Sequence, residues 1–252
     1  MKVRLTLNSS TFSIHGTFMA KTVTPDLSND ADGSTSTQAS SVYDRLKGDI
    51  LTGQLKPGVK LRLKDLIEKY DTGNSPLREA LNRLSANGMV VREENRGFRV
   101  PPASASELIE LTKTRCWLEE IGIRESIANG NTEWEERIVL AYHWLTRAAR
   151  SEKAETNYTV AEWENHHREF HLALISACGS NILMDFCAEL HQRSFRYRNL
   201  AEVVEYRGQH ELEEHHELQQ AVLSRNADLA VDLLHKHYNV TSDILIASGR
   251  FD

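Results

Sequence analysis

Histidine is concentrated in the second half of the chain, where its spacing suits a metal site. Ten of the 11 histidines lie between residues 143 and 237. His167 and His171 are four residues apart, so a helix would place both rings on one face. His215 and His237 each fall in line with the apolar residues of a later helix. Four imidazoles from three helices could therefore converge inside a bundle, where imidazole is a common ligand for Zn²⁺ or Ni²⁺.

The same histidines have two other interpretations. A single inward histidine is usually a hydrogen-bonded core residue rather than a ligand. A histidine-rich bundle site could also be a metal hydrolase or oxygenase. Against an enzyme, the sequence shows no carboxylate reliably paired as a general base, no serine or cysteine nucleophile motif and no phosphate-binding loop. A site that binds without turnover is the simpler hypothesis.

The elements that must position these histidines are helices. From residue 103 onward the apolar residues recur at helical spacing, and short Gly and Asn breaks separate the segments. This pattern predicts an antiparallel six-helix bundle. The predicted helices span residues 104–128, 131–153, 159–178, 181–206, 210–224 and 226–247.

A shorter segment predicts a second kind of site. Ser75 is a good N-cap and Pro76 suits the first position of a helix. An apolar stripe follows, made of Leu77, Ala80, Leu81 and Leu84. Off that stripe lie Arg78, Asn82 and Arg83. A short helix with a fixed start and a basic outer face suits the major groove of DNA, although such a helix by itself is often only a solvated surface.

The neighbouring segments support the DNA-binding interpretation. Residues 63–70 predict a helix, and a four-residue turn at 71–74 joins it to the next one. The segments 89–91 and 98–100 predict two strands of a hairpin around residues 93–97. Helix, turn, helix and hairpin together predict a winged helix-turn-helix. The fold class is therefore mainly α, with a small β-hairpin wing in the first domain and the helical bundle in the second.

Residues 43–101 resemble the DNA-binding domain of GntR-type bacterial transcription regulators. The resemblance rests on the segments 50–58, 61–63 and 76–81 and on Leu84, Gly88, Val90 and Gly97. It implies that basic residues of the second helix read bases and that the wing enters the minor groove. Arg78 and Lys64 match basic residues of the family, and the expected DNA-contacting residues in all are Arg62, Lys64, Asn74, Ser75, Arg78, Asn82, Arg83 and Arg96. The chain departs from the family at Asn74, usually arginine, and at Asp71, usually glycine, so the operator sequence cannot be transferred.

Residues 104–245 resemble the helical effector (FCD) domain of the FadR-type branch of these regulators. The matching motifs are Arg115-x-x-Leu118-Glu119, Phe170-His171-x-Ala173-Leu174, Gly179-Ser180-Asn181 and His215-x-x-Leu218-x-x-Ala221-Val222, followed by Ala230 and His237. Many members of this branch bind a divalent metal through one acid and three histidines. His171, His215 and His237 match those histidines, and His167 stands at the acid position. An all-imidazole site of this kind favours a later transition metal, with Zn or Ni first.

The resemblance also suggests an effector. Arg115, Arg196 and Arg198 could hold a small organic acid whose carboxylate reaches the metal, since guanidinium binds carboxylate in bidentate fashion. The alternative is that these arginines pair with the domain's own carboxylates. Residues 163–171 and 196–198 are similar to the carbon-starvation-induced repressors of this family, which implies a dicarboxylate such as glutarate. We expect a repressor that such a metabolite controls, with a metal-responsive regulator as the alternative.

Charge and composition agree with a two-part protein. The chain carries a formal net charge of −6, which by itself argues against a simple nucleic-acid binder. Residues 40–102 contain 12 basic and eight acidic residues, whereas residues 103–252 contain 15 basic and 25 acidic ones. Basic charge is thus concentrated where phosphates would be met.

Three regions are expected. Residues 1–39 predict a disordered tail in which Met19 is a possible start, residues 40–102 the winged helix-turn-helix, and residues 103–252 an effector-binding and dimerisation domain. A homodimer is expected because two-fold operators mirror two-fold proteins. The chain has no membrane-length apolar run, no signal-peptide pattern and no paired spacing among its three cysteines, so we expect a cytoplasmic protein without membrane contact.

Overall fold

The computed structural model describes residues 38–93, 97–148, 160–201 and 209–251, and these are mainly helical. The elements in chain order are α1 (Gln38–Leu51), β1 (Lys60–Leu61), α2 (Leu63–Tyr70), α3 (Asn74–Ala86), β2 (Val91–Glu93), β3 (Gly97–Arg99), α4 (Ala105–Asn129), α5 (Thr132–Arg147), α6 (Val160–Leu174), α7 (Asn181–Leu200), α8 (Gln209–Leu223) and α9 (Ala227–Ala247). The expected fold class is confirmed, with a winged helix-turn-helix followed by a six-helix bundle. The expected tail lies almost wholly outside the described residues, and α1 begins at Gln38, two residues before the expected start of the winged helix-turn-helix at residue 40.

The winged helix-turn-helix has its own apolar core. Helix α3 packs against α1 and α2, and its apolar stripe is completely buried. Three short strands close the domain in an antiparallel sheet of order β1-β3-β2. The sequence pattern predicted a two-stranded hairpin, and β1 is a third strand that pairs Leu61 with Phe98. Both side chains of that pair are buried, so the sheet covers one end of the helical core.

Helix α3 starts two residues earlier than the sequence pattern predicts. Its N-cap is Gly73, which makes no side-chain capping hydrogen bond, so the predicted capping role of Ser75 is wrong. Pro76 falls in the first turn rather than at the first position. This is tolerated because the first four amide groups of a helix have no intrahelical partner. The preceding turn contains Asp71 in the left-handed conformation (φ 47°), which accounts for a preference for glycine at this position.

The first wing strand begins at Val91, two residues after the predicted start. Met89 and Val90 are instead used to end α3, since both amides donate to the carbonyl group of Leu84. The two side chains are buried in the core of this domain. The predicted hairpin tip, including Arg96, lies outside the described residues.

Six helices, α4 to α9, form the second part of the chain. Polar side chains at four N-caps accept a hydrogen bond from an amide of the first turn: Ser104, Asn131, Ser180 and Asn226. Helix α4 packs against α7 and α9, α5 against α6 and α8, and α8 against α9. Most buried apolar side chains between them form one core, with Trp163 and Phe170 among the largest. A smaller separate cluster includes Leu108, Tyr197 and Leu245.

The bundle helices agree with the predicted ones in number and order, but three end earlier. Helix α5 ends at Arg147, α6 at Leu174 and α7 at Leu200. The predicted extension of α5 to residue 153 and most of that of α7 to residue 206 lie outside the described residues. None of the helices in the described ranges is both long and apolar enough to cross a membrane.

Helix α7 joins the two parts of the chain. Its Asn199 donates a hydrogen bond to the carbonyl group of Leu51 at the end of α1, at 2.9 Å. Arg193 donates to the carbonyl group of Asn87 after α3, at 3.3 Å. Phe195 packs against the core of the winged helix-turn-helix. The opposite side of α7 faces the interior of the bundle, where the histidines lie.

Candidate metal centre and nucleic-acid interface

Four buried histidines meet inside the bundle. Helix α6 carries His167 and His171, α8 carries His215 and α9 carries His237. One ring nitrogen from each lies within 4.8 Å of the others. The structure thus brings together all four histidines that the sequence pattern singled out, because the i, i+4 pair on α6 faces two helices whose own stripes point inward.

The spacing of the ring nitrogens suits a single ion. Nε2 of His171 lies 3.2 Å from Nε2 of His167 and 3.3 Å from Nε2 of His215. Zinc–nitrogen bonds of about 2.0–2.1 Å in tetrahedral geometry would place neighbouring nitrogens about 3.3–3.4 Å apart. The histidine side chains therefore stand at the separation of ligands around one transition metal.

The tautomer of His171 is set by a neighbouring tyrosine. Tyr238 donates its hydroxyl proton to a carboxylate oxygen of Glu119 and lies 2.9 Å from Nδ1 of His171. Because that proton is already used, Nδ1 of His171 must carry a hydrogen and donate to the tyrosine oxygen. Nε2 of His171 then has no hydrogen, and its lone pair is directed at His167 and His215.

A similar contact orients the histidine of α9. Nδ1 of His237 lies 2.8 Å from a carboxylate oxygen of Glu214. A carboxylate accepts, so this nitrogen carries the hydrogen and leaves the lone pair on Nε2. Metal-ligating histidines commonly donate their second ring N–H to a carboxylate or other acceptor. Two of the four imidazoles therefore already have the tautomer that a metal centre requires, and the residues present fit such an ion.

Burial keeps the α6 histidines neutral. Desolvation, together with the charges of neighbouring groups, lowers the pKa values of His167 and His171 well below the ordinary 6.5. Neutral imidazole is the form that binds a metal ion.

A network of charged groups adjoins the histidine cluster. The guanidinium of Arg115 donates to Glu119 at 3.1 Å and to the hydroxyl of Ser194 at 3.2 Å, and lies 3.1 Å from the ring of His191. All four side chains are buried. Arg115 also stands over the ring of Tyr238, 3.8 Å from its centroid. This network holds the tyrosine whose hydroxyl contacts His171 on α6.

The charge state of this network follows from its contacts. Burial and the charge of Arg115 lower the pKa of His191 to about 4, so its ring is uncharged at neutral pH. Burial by itself would raise the pKa of Glu119, but the charges of His191 and Arg115 and two side-chain hydrogen bonds lower it to about 2. Since His191 is neutral at pH 7, Arg115 and the hydrogen bonds keep Glu119 ionised there.

A small cavity connects the histidine cluster to two of the three arginines singled out by sequence. Its lining includes His167, His237, Arg115 and Arg198, and its volume is about 20 Å³. Arg198 binds Glu164 in bidentate fashion, with contacts of 2.9 and 2.5 Å. Both arginines are thus paired with carboxylates, which was the alternative interpretation of the sequence.

Arg196 occupies a different environment. Its guanidinium donates to the carbonyl group of Pro101, between the two parts of the chain, and it does not line the cavity. Arg196 and Arg198 are two residues apart on a helix, so their side chains point in different directions.

Several residues of this site carried no clear signal in the sequence. His191, Tyr238 and Glu214 were not singled out, and Glu119 was named only as part of a family motif, although each contacts one of the four histidines or the arginine network. His191, Ser194 and Arg198 occupy positions i, i+3 and i+7 of α7, so the three side chains lie on one face of that helix. That polar stripe on an otherwise buried face is the signal that could have revealed it.

The outer face of α3 forms an open, polar groove. Its lining comprises Asn74, Ser75, Arg78, Glu79, Asn82, Arg83 and Ala86. All the expected DNA-contacting residues between positions 62 and 83 have exposed side chains. The apolar stripe of α3 is buried beneath them, so the helix presents its polar side outward.

Two arginines of this face are held by neighbouring side chains. Nε of Arg78 donates to the amide oxygen of Asn74 at 2.8 Å, one turn earlier. The guanidinium of Arg83 lies over the ring of Tyr43 in α1, 4.2 Å from its centroid. Both arginine side chains are therefore held in defined positions on the outer face.

Comparisons with protein families agree with the two-part fold. The model of the family described as bacterial regulatory proteins, gntR family, matches residues 38–100. The FCD domain model matches residues 110–240. The second match alone covers more than half of the chain.

Individual proteins are similar over most of their length. The HTH-type transcriptional regulator BphR of Paraburkholderia xenovorans LB400 is 36% identical over 83% of this chain and 85% of its own. The HTH-type transcriptional repressor GlaR of Escherichia coli K12 is 32% identical over 77% of this chain and 90% of its own. The solved structure of E. coli McbR/YncC has the same fold, with a TM-score of 0.68 at 23% identity over 84% of this chain and 98% of its own.

Proposed function

Because the chain belongs to the gntR family of bacterial regulatory proteins and carries an FCD domain, we propose that it represses transcription and is released from its operator by a small carboxylate. Like its relatives, the protein is a DNA-binding transcription regulator and not an enzyme. The repressor role is supported by the similarity to the E. coli repressor. A cytoplasmic location, where bacterial DNA lies, is part of the same proposal.

The observation that carries the proposal is the cavity that joins four converging imidazoles to two arginines. The residues His167, His171, His215 and His237 would hold one transition metal ion, zinc or nickel, through their ring nitrogens. Such an ion, when bound, supplies positive charge, and an ion that accepts more than four ligands also has a coordination position for a carboxylate. The cavity adjoins two of these histidines, so a carboxylate in it would lie beside the centre.

The arginines of the cavity would hold the other end of the effector. Arg198 and Arg115 each bind a carboxylate of the protein, Glu164 and Glu119 respectively, so an incoming acid competes for the same donors. A dicarboxylate such as glutarate has the two charged ends that this arrangement requires. A volume of about 20 Å³ holds about one water molecule, so effector binding must displace side chains.

Helix α7 offers the route from the cavity to the DNA-binding domain. Arg198 and Ser194 line the cavity from one side of this helix. From the other side, Asn199 and Arg193 bind backbone carbonyls of the winged helix-turn-helix. An effector that moves α7 would therefore move its contacts with α1 and α3. The effector can alter operator binding only if it binds more tightly to one position of α7 than to the other.

A homodimer is part of the proposal, formed through α4 and α7. These neighbouring helices expose apolar side chains that are each more than half accessible: Trp117, Ile121, Ile182 and Phe186. The two helices approach closely, since a Cβ built on Gly122 would lie 3.3 Å from Leu183. A second copy of this chain is the partner that a two-fold operator requires.

The test combines metal analysis with operator release. Purified untagged protein should contain about one transition ion per chain by elemental mass spectrometry, and glutarate should lower its affinity for operator DNA in fluorescence anisotropy. His171→Ala should lose the metal and the glutarate response but keep operator binding, whereas His143→Ala, an exposed control on α5, should behave as wild type.

Each part of the proposal can fail separately. No metal after addition of Zn²⁺ or Ni²⁺ would make the four histidines core residues or direct ligand contacts. If chelation alone released DNA and no acid did, the protein would be a metal-responsive regulator. An unchanged glutarate response in His171→Ala would remove the histidine cluster from the mechanism.

A further inference from the structure

A second cavity lies between the DNA-binding domain and the bundle. It has a volume of about 140 Å³ and is lined by residues of α1, α6 and α7. Its lining differs from that of the cavity beside the four histidines, with Arg198 as the shared residue. A space of this size is comparable with the engineered cavities of about 150 Å³ that take up small organic molecules. It can therefore hold a ligand of a few heavy atoms.

Two cations face this cavity from different domains. Lys47 comes from α1 of the winged helix-turn-helix, and Arg168 from α6 of the bundle. Within the described ranges Lys47 makes no ion pair, and its ammonium only approaches the ring of Tyr43, at 5.9 Å from the centroid. Burial and then the charge of Arg168 lower the pKa of Lys47, with a partial offset from Asp44. The two cations thus repel each other across the domain contact.

Arg168 is also incompletely satisfied. One terminal nitrogen donates to Asn165 at 3.0 Å and to Glu169 at 2.7 Å. Its Nε is buried and has no hydrogen-bond partner among the described residues. An unpaired buried donor is destabilising, and an acceptor brought into the cavity would satisfy it.

The one carboxylate among the described lining residues is already paired. Glu164 lies at the cavity wall, where Arg198 binds both of its oxygens. The charge of Glu164 is balanced by Arg198 and therefore does not also neutralise Lys47 and Arg168. The wall otherwise offers amide groups and the apolar surfaces of Leu51 and Phe195. The lining as a whole has an excess of positive charge and spare donors.

We infer that this cavity is an anion site in which a small oxyanion, a phosphate or a dicarboxylate, bridges Lys47 and Arg168. The bound anion would draw α1 of the DNA-binding domain and α6 of the bundle together. Because it joins the two domains directly, it would stabilise their contact without the histidine cluster. This inference does not depend on the proposed metal centre.

The test is direct binding of two probes to the full-length protein. Isothermal titration calorimetry at constant ionic strength would use inorganic phosphate in one series and glutarate in the other, with the wild type, Lys47→Gln and Arg168→Gln. Loss of a charged donor should weaken the bound anion at least about tenfold. The exposed Lys236→Gln on α9 and Arg137→Gln on α5 are matched controls and should bind as the wild type does.

The same titrations in His171→Ala separate this site from the metal centre. Binding that survives in His171→Ala but is lost in Lys47→Gln supports the inference, and the probe that binds identifies phosphate or dicarboxylate as the source. If neither probe binds the wild type, the inference is wrong. It is also wrong if Lys47→Gln and Arg168→Gln bind normally, or if Lys47→Gln weakens only operator binding.

Discussion

The hydroxyl of Tyr238 lies 2.9 Å from Nδ1 of His171, on the ring nitrogen that does not face the other histidines. This contact joins the four-histidine cluster to the buried pair of Arg115 and Glu119, because the same hydroxyl donates its proton to Glu119. A change at the arginine can therefore reach the histidine through three hydrogen bonds. The candidate effector contact and the candidate metal centre belong to one hydrogen-bonded unit.

Tyr238→Phe removes the group that fixes the tautomer of His171. We expect metal affinity to fall by about 10–100-fold, the range seen for the loss of outer-shell partners. Competition with a chromophoric chelator measures this directly. Tyr142→Phe is the matched control, since that half-buried tyrosine packs against Phe170 and lies outside the network. Equal metal affinity in Tyr238→Phe and the wild type would contradict the orienting role.

Arg78→Ala should abolish operator binding at working concentrations and leave the fold intact. Arg78 is exposed and, among the described residues, its side chain bonds to Asn74 on its own helix, so its removal disturbs no core contact. A bidentate base contact contributes about 1–3 kcal/mol, and its loss should be seen in anisotropy titrations with operator DNA. Arg137→Ala, at an exposed position on α5, should bind normally. Full affinity in the Arg78 variant would count against α3 as the reading helix.

Arg198→Lys keeps the charge of the cavity but cannot form a bidentate pair. We expect about tenfold more glutarate to be needed for half-release of operator, with metal content unchanged. The matched variant is Arg196→Lys on the same helix, which alters the contact with Pro101 and not the cavity. Identical glutarate dependence in Arg198→Lys and the wild type would exclude Arg198 as an effector contact.

The metal-free protein should lose stability below about pH 6.5. The folded-state pKa values of His167 and His171 are lowered well below 6.5, so in acid the unfolded chain takes up protons that the folded chain does not. The free energy of unfolding therefore decreases as the pH falls, by about 1 kcal/mol per histidine between pH 7.5 and 5.5. Urea denaturation with a chelator present measures this.

A double variant tests the assignment of that pH dependence. His167→Asn/His171→Asn should lose less stability between pH 7.5 and 5.5 than the wild type does. His143→Asn, at an exposed position, should follow the wild type. An undiminished loss in the double variant would assign the pH dependence to other groups.

Phe186→Glu should prevent dimerisation. Phe186 is 56% exposed on α7, and a charge at the centre of an apolar interface is not tolerated without a partner. Light scattering after size-exclusion chromatography should show a monomer, whereas Leu140→Glu, equally exposed on α5, should remain a dimer. A dimeric Phe186→Glu variant would move the interface elsewhere.

Much of the fold followed from local patterns. The apolar stripe of α3, the break between α4 and α5 after Asn129, and the caps at Asn131 and Asn226 each depend on residues within about one helical turn. Such patterns determine whether a segment forms a helix and which face it buries. The ends of the elements were predicted less reliably: the predicted cap at Ser75 was wrong because Gly73 supplies the required extended backbone two residues earlier.

The sequence by itself determined that His167, His171, His215 and His237 would point inward, because helical periodicity assigns a side chain to a face. Only the tertiary structure decided what stands behind those rings. His191 joins Arg115 across 76 residues of chain, and Tyr238 reaches His171 across 67. Contacts between distant segments depend on how helices pack, which no local pattern encodes, so the tautomers, the charge network and both cavities come from the fold alone.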